Sequence, residues 1–160
     1  MPDKQQVHDF WNEASCGENL YLRGSDREAY ESQAQKRYKL EPYIPEFAGF
    51  DLARSKRVLE IGVGLGADHQ RFAEAGADLT GIDLTERAVE HTARRLAAFG
   101  LSSRLAVGDA ERLEFPDEFF DHFILYIRRS YELYRYFTFF IQNDRIHPVH
   151  PGMAFDIIKP

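Results

Sequence analysis

The sequence predicts an α/β domain built on an open parallel sheet, and three observations carry that reading. From Lys56 onward, short apolar runs alternate with helical stretches. The joints between them are short and contain glycine, as βαβ crossovers of one hand require. Three successive runs also bring an acid toward their carboxyl ends: Glu60 beside a glycine turn, then Asp83, then Asp109.

At 160 residues, 44% hydrophobic and 29% charged, the chain can hold one core of ordinary soluble composition. It reads as one domain with a helical lead-in (1–50), a βαβ core (56–128) and an atypical tail (129–160). The formal charge of −6 disfavours nucleic acid or an anionic membrane as partner. Cys16 is the only cysteine, which excludes an intrachain disulfide and fits a reducing, cytoplasmic setting. No run has the length and flanks of a signal peptide or a membrane span.

In the lead-in, Ser25 is expected to cap a helix that runs to Leu40 and is stopped by Pro42 and Pro45. "RVLEIG" is the first strand, and "ADHQRFAEAG" a short helix closed by Gly76. "ADLTGID" is the second strand. "TERAVEHTARRLAAFG" is the clearest helix, with Thr85 as cap, Gly100 as stop and an apolar stripe of Val89, Ala93, Leu96 and Ala97. "SRLAVGDA" and "FDHFILYI" supply strands three and four.

In an open parallel sheet a ligand sits beyond the carboxyl ends of the strands. Gly62, Gly64 and Gly66 let the backbone turn sharply and approach a ligand closely. Asp83, about twenty residues past the first glycine, is spaced to accept from paired ribose hydroxyls. Asp109 can accept from an exocyclic amine, or an adjacent backbone amide can address a purine. Glu60 can draw an ammonium group. Each residue also has a purely structural reading: a tight turn, a cap before the helix at Thr85, a turn before Glu111. Their recurrence at three strand ends favours a ligand.

Two ligands compete for the pattern. Gly62-x-Gly64-x-x-Ala67 with Asp83 also fits the dinucleotide fingerprint. Glu60, two residues before the first glycine, opposes a pyrophosphate there. S-adenosylmethionine carries positive charge and no phosphate, and suits the acids better. Among other residues, Trp11 either closes over the ligand or anchors its helix by burial. His69 is a base or a first-turn helix residue. His147 and His150 are metal ligands or, with no acidic cluster beside them, part of a loose tail.

The run from "VLEIGVGLGADHQRFAEAGADLTGIDLTERAVEHT" to "VGDAERLEFPDEFFD" resembles a class I S-adenosylmethionine-dependent methyltransferase, and the resemblance extends over roughly residues 7–121. It implies a Rossmann-like parallel sheet with helices on both faces. It implies a cofactor loop of Gly62, Val63, Gly64 and Gly66, a ribose contact by Asp83 with Leu84 beside it, and adenine contacts by Asp109 and Ala110. Arg37 is the candidate arginine for the ligand carboxylate, the alternative being a solvated helix arginine. The activity implied is methyl transfer by direct displacement to a small-molecule acceptor, with no catalytic residue named.

The tail departs from the family. Between Glu111 and Pro151 there is neither alanine nor glycine, and residues 119–142 hold ten of the 22 aromatics. The family's further strands have no counterpart, so the sheet is expected to be incomplete after its fourth strand and the chain truncated. The open edge of that strand would be covered by "YRYFTFFIQ" as an antiparallel strand, or by a homodimer through that edge or the aromatic tail. The alternatives to an enzyme of small molecules are a non-catalytic remnant that binds the cofactor or dimerises, and an NAD-dependent oxidoreductase.

Overall fold

The computed structural model describes residues 3–117, 119–129, 133–142 and 145–148. Helix α1 (Lys4–Glu13) starts at a reciprocal cap in which Asp3 and Gln6 each accept from the other's backbone N–H. A short α2 (Glu18–Tyr21) precedes α3 (Arg27–Leu40) and α4 (Ile44–Ala48). The cap of α3 is Asp26, whose carboxylate accepts from the Ala29 N–H, and not the expected Ser25. A carboxylate at a helix start also meets the positive end of the dipole.

The core follows as β1 (Arg57–Ile61), α5 (Ala67–Ala75), β2 (Asp78–Asp83), α6 (Glu86–Ala98), β3 (Arg104–Val107) and β4 (His122–Arg129). Two further strands, β5 (Leu133–Gln142) and β6 (Arg145–Pro148), complete a six-stranded sheet of order β3-β2-β1-β4-β5-β6. The first four strands are parallel, as expected. Beyond β4 the sheet turns antiparallel, and Leu133–Gln142 pairs along the whole of β4. Of the two coverings expected for the β4 edge, the structure has the segment "YRYFTFFIQ" as an antiparallel strand. Reversal from β1–β2 to β1–β4 makes the carboxyl end of β1 the switch point of the sheet.

Strand pleating sends alternate side chains to opposite faces. Val58, Leu79 and Ile124 meet Phe72 of α5 together with Ile44, Ala48, Phe50 and Ala53. Leu59, Ile61 and Ile82 pack on the other face against Phe115, Phe120 and Phe123. Among the described residues α4 and α5 pack on the first face. Arg57 and Asp121 join the starts of β1 and β4 through a forked ion pair (2.7 and 3.1 Å), which holds the Asp121 carboxyl down at about 2.

Helix α6 is capped by Thr85 as expected, but its buried stripe is Ala88, His91, Thr92, Arg95 and Leu96. Ala93 and Ala97, assigned to the apolar stripe from sequence, are exposed. The reason is chemical: the buried Arg95 of α6 finds acceptors in Gln33 of α3 and Gln70 of α5, so this helix turns polar residues inward beside Ala88 and Leu96. Among the described residues no helix is long and apolar enough to cross a membrane.

Candidate functional site

The carboxyl ends of β1, β2 and β3 open into a cleft of about 740 Å³, within the range of small-molecule sites. All ten residues singled out from sequence line it: Arg37, Glu60, Gly62, Val63, Gly64, Gly66, Asp83, Leu84, Asp109 and Ala110. The helix α1 adds Lys4, Val7 and Trp11, spaced to share one face, and the α1–α2 joint adds Ser15 and Cys16. Sequence reasoning missed Lys4, Gln33 and Asp68 on this wall. Their partners are distant in the chain, so no local spacing marks them.

The glycine turn is shaped by its own bonds. Gly62 N–H donates to the Ile82 carbonyl (2.8 Å), Gly66 N–H to the Val63 carbonyl (2.8 Å) and Gly64 N–H to Asp83 Oδ2 (3.1 Å). These donors, which a phosphate cradle would turn toward its ligand, are spent inside the protein. The three glycine N–H groups therefore do not form a phosphate cradle. Gly66 sits at φ +73°, and a Cβ there would stand 2.8 Å from Thr92 Oγ1, so glycine is required on both counts.

Asp83 is oriented from two sides. Oδ2 takes the Gly64 N–H, and Oδ1 takes both the N–H and the hydroxyl of Thr85 (3.0 Å each). The carboxylate is thus fixed at the rim with Oδ2 retaining acceptor capacity for a hydroxyl. Its structural reading, a turn before α6, and its ligand reading are compatible.

Glu60 differs from expectation. It is 5% exposed, and its Oε2 lies 2.8 Å from Nδ1 of His69, whose Nε2 lies 2.7 Å from Ser103 Oγ. Burial pushes the Glu60 carboxyl up, against the opposing pull of His69. The acid therefore reaches the cleft from beneath, already partnered. His69 is fully enclosed, so it is the first-turn helix residue and not a base presented to substrate. Gly81 makes room for it, since a Cβ there would lie 2.6 Å from His69 Cε1.

Arg37 is brought to the cleft with its guanidinium engaged. Nε and Nη2 donate to Asp68 (3.3 and 2.6 Å), Nη1 to Glu41 (3.4 Å), and Tyr38 Oη also donates to Asp68 (2.9 Å). Asp109 is likewise engaged: Oδ2 pairs with Lys4 (2.5 Å) and Oδ1 accepts from the Glu111 N–H (2.9 Å). That pairing holds the Asp109 carboxyl below the usual range. An incoming amine has to share Asp109 with Lys4. Trp11 is half-buried on the cleft side of a helix with no buried residue, so it faces the site and does not anchor α1 in a core.

Five carboxylates (Glu60, Asp68, Asp83, Asp109, Glu111) and two cationic side chains (Lys4, Arg37) line the cleft. That balance attracts a cationic ligand and repels a phosphate. Among the described residues no group of three or more His, Cys, Asp or Glu is arranged to hold a metal ion. The metal reading of His147 and His150 involves His150, which lies outside the described residues.

Residues 58–134 match the family described as "Methyltransferase domain". Together with the fold and the cleft, the match likens this stretch, just under half of the chain, to methyltransferase domains. A demethylmenaquinone methyltransferase of Tropheryma whipplei is 37% identical over 71 residues, which is 44% of this chain and 28% of that protein. The chain thus spans just over a quarter of the length of the relatives it matches. Among solved structures, magnesium protoporphyrin IX methyltransferase from Synechocystis PCC 6803 with bound SAM gives a TM-score of 0.55 at 16% identity, covering 92% of this chain and 95% of that one. The [4+2]-cyclase SpnF gives 0.52 at 24% identity, covering 75% and 48%. At those identities the likeness is one of fold.

Proposed function

We propose that the cleft binds S-adenosylmethionine and that the chain transfers its methyl group to a small-molecule acceptor by direct displacement. The observation that carries the reading is the pairing of an acid-rich lining with a turn whose three glycine N–H donors are already bonded within the chain. A dinucleotide would bring a pyrophosphate to that turn and find carboxylates. A sulfonium nucleoside brings positive charge and hydroxyls, and finds Asp83 oriented to accept.

The sulfonium supplies an activated methyl group when the cofactor is bound. The chain's part is to bind and orient: Asp83 and Leu84 at the ribose, Ala110 with Asp109 at the purine, the turn from Gly62 to Gly66 against the chain of the amino acid. Positioning of two reactants supplies much of the rate in such a step, and no covalent residue is invoked. The acceptor is taken as a small molecule on the strength of the relative named for demethylmenaquinone and of the acidic charge of the chain. A reducing compartment, the cytoplasm, suits the single cysteine. Self-association is assigned to the aromatic tail, because β5 occupies the β4 edge.

Titration calorimetry of the full chain with S-adenosylmethionine, S-adenosylhomocysteine and NAD tests the reading. Binding of the first two, weakened at least about tenfold by Asp83→Ala, is the expected result, since a hydrogen bond to a charged group contributes about 1.5–3 kcal/mol. Binding of NAD alone would overturn it. Transfer of a labelled methyl group to a panel of quinones and porphyrins then separates an enzyme from a chain that binds the cofactor without turnover.

A further inference from the structure

Arg95 is fully buried behind the glycine turn, yet each of its hydrogen-bond acceptors is neutral. Nε donates to Gln70 Oε1 (2.7 Å), Nη1 to Gln33 Oε1 (2.6 Å) and to the Leu65 carbonyl (3.1 Å), and Nη2 to the Tyr30 carbonyl (2.9 Å). A guanidinium has donors and no acceptor, so Gln33 can present only its oxygen to it. The amide is thereby locked in one orientation, and Nε2 with its two hydrogens becomes the end left over. Gln33 is 5% exposed and lines the cleft, and its Nε2 makes no hydrogen bond among the described residues.

Gln33 also lies one helical turn before Arg37, on the same face of α3. Arg37 is the arginine expected to meet the ligand's carboxylate, but Asp68 and Glu41 already hold its guanidinium. We infer that Gln33 donates through Nε2 to the carboxylate of the bound nucleoside amino acid, with Arg95 as the residue that positions its amide. This rests on the reading that the cleft takes such a nucleoside. Nε2 is not among the buried polar atoms left without a partner, so it opens onto the cleft and its two hydrogens are presented to whatever fills it. The charge of Arg95, whose hydrogen-bond acceptors are all neutral, offsets part of the acidic field that Asp68 lays on this wall.

The test compares two ligands on the full chain by titration calorimetry. One is S-adenosylhomocysteine. The other is 5′-(3-aminopropyl)thioadenosine, which keeps the nucleoside, the sulfur and the amine and lacks only the carboxylate. Gln33→Glu keeps the shape and gives Arg95 a carboxylate partner, so its melting temperature should match or exceed that of the unaltered chain. It should weaken the homocysteine ligand by about tenfold or more and leave the decarboxylated ligand within about twofold. Gln33→Met, which removes the donors without adding charge, should shift the same ratio by about threefold or more. Equal weakening of both ligands, or of neither, in both variants overturns the inference while leaving the cleft's ligand intact. Binding of neither ligand by the unaltered chain removes the reading of the cleft, and this inference with it.

Discussion

The two walls of the cleft are built in different ways. The inner wall, where α3, α5 and α6 meet the glycine turn, is knit by enclosed groups: Glu60 with His69, Arg37 with Asp68, Arg95 with Gln33 and Gln70. The outer wall is α1, which has no buried residue. It is pinned by Lys4 to Asp109 and Glu111, by His8 to Glu86 (3.1 Å), and by Asn12 accepting the Arg87 N–H (3.1 Å). Enclosed polar pairs are expensive to break, whereas exposed ones contribute little. The inner wall is therefore a preformed template, and the outer wall a cover that can yield to a ligand.

The largest expected effect falls on the inner wall. His69→Ala would strand Glu60 without its imidazole and leave a cavity, at a cost of about 3–5 kcal/mol, measured by chemical denaturation. A loss no greater than that of a surface substitution would break the contrast between the walls.

A second prediction concerns acid. His122 is buried against Phe72 (ring centroids 5.7 Å apart), and burial pushes its pKa down to about 4. Its unfolded value is near 6.5, so between those limits the unfolded chain takes up the proton first. Stability from this site is complete above pH about 6.5 and falls as the pH drops toward 4, by about 3 kcal/mol in all. His122→Phe should flatten that limb of a stability–pH curve. An unchanged limb would assign the acid sensitivity elsewhere.

Gly66→Ala ranks next. Its Cβ would meet Thr92 and hold a left-handed backbone, so a loss of about 2 kcal/mol is expected together with weaker nucleoside binding. The smallest effect belongs to the outer wall. Lys4→Ala should leave the melting temperature unchanged while hydrogen exchange across Lys4–Glu13 quickens. A marked fall in melting temperature would make α1 part of the scaffold and erase the distinction.

The parts legible from sequence are those with local marks. The strands, the cap at Thr85, the glycine turn and the acids at strand ends each carry a period or spacing that survives without neighbours. The rest depends on partners far along the chain. Lys4 meets Asp109 across 105 positions and Arg95 meets Gln33 across 62, and no window of sequence connects either pair. The stripe of α6 was misread for a related reason: hydrophobic spacing cannot reveal that Arg95 turns inward, where Gln33 and Gln70 accept from it. Asp26 displaced Ser25 as the cap because adjacent residues of similar capping strength cannot be separated without the backbone angles.

The most direct measurement is a two-dimensional amide NMR titration of the labelled chain with S-adenosylhomocysteine. Saturable shifts are expected to gather at Gly62, Gly64, Gly66, Leu84 and Ala110, with smaller ones along α1. Shifts scattered over the molecule, or none at the strand ends at saturating ligand, would contradict it.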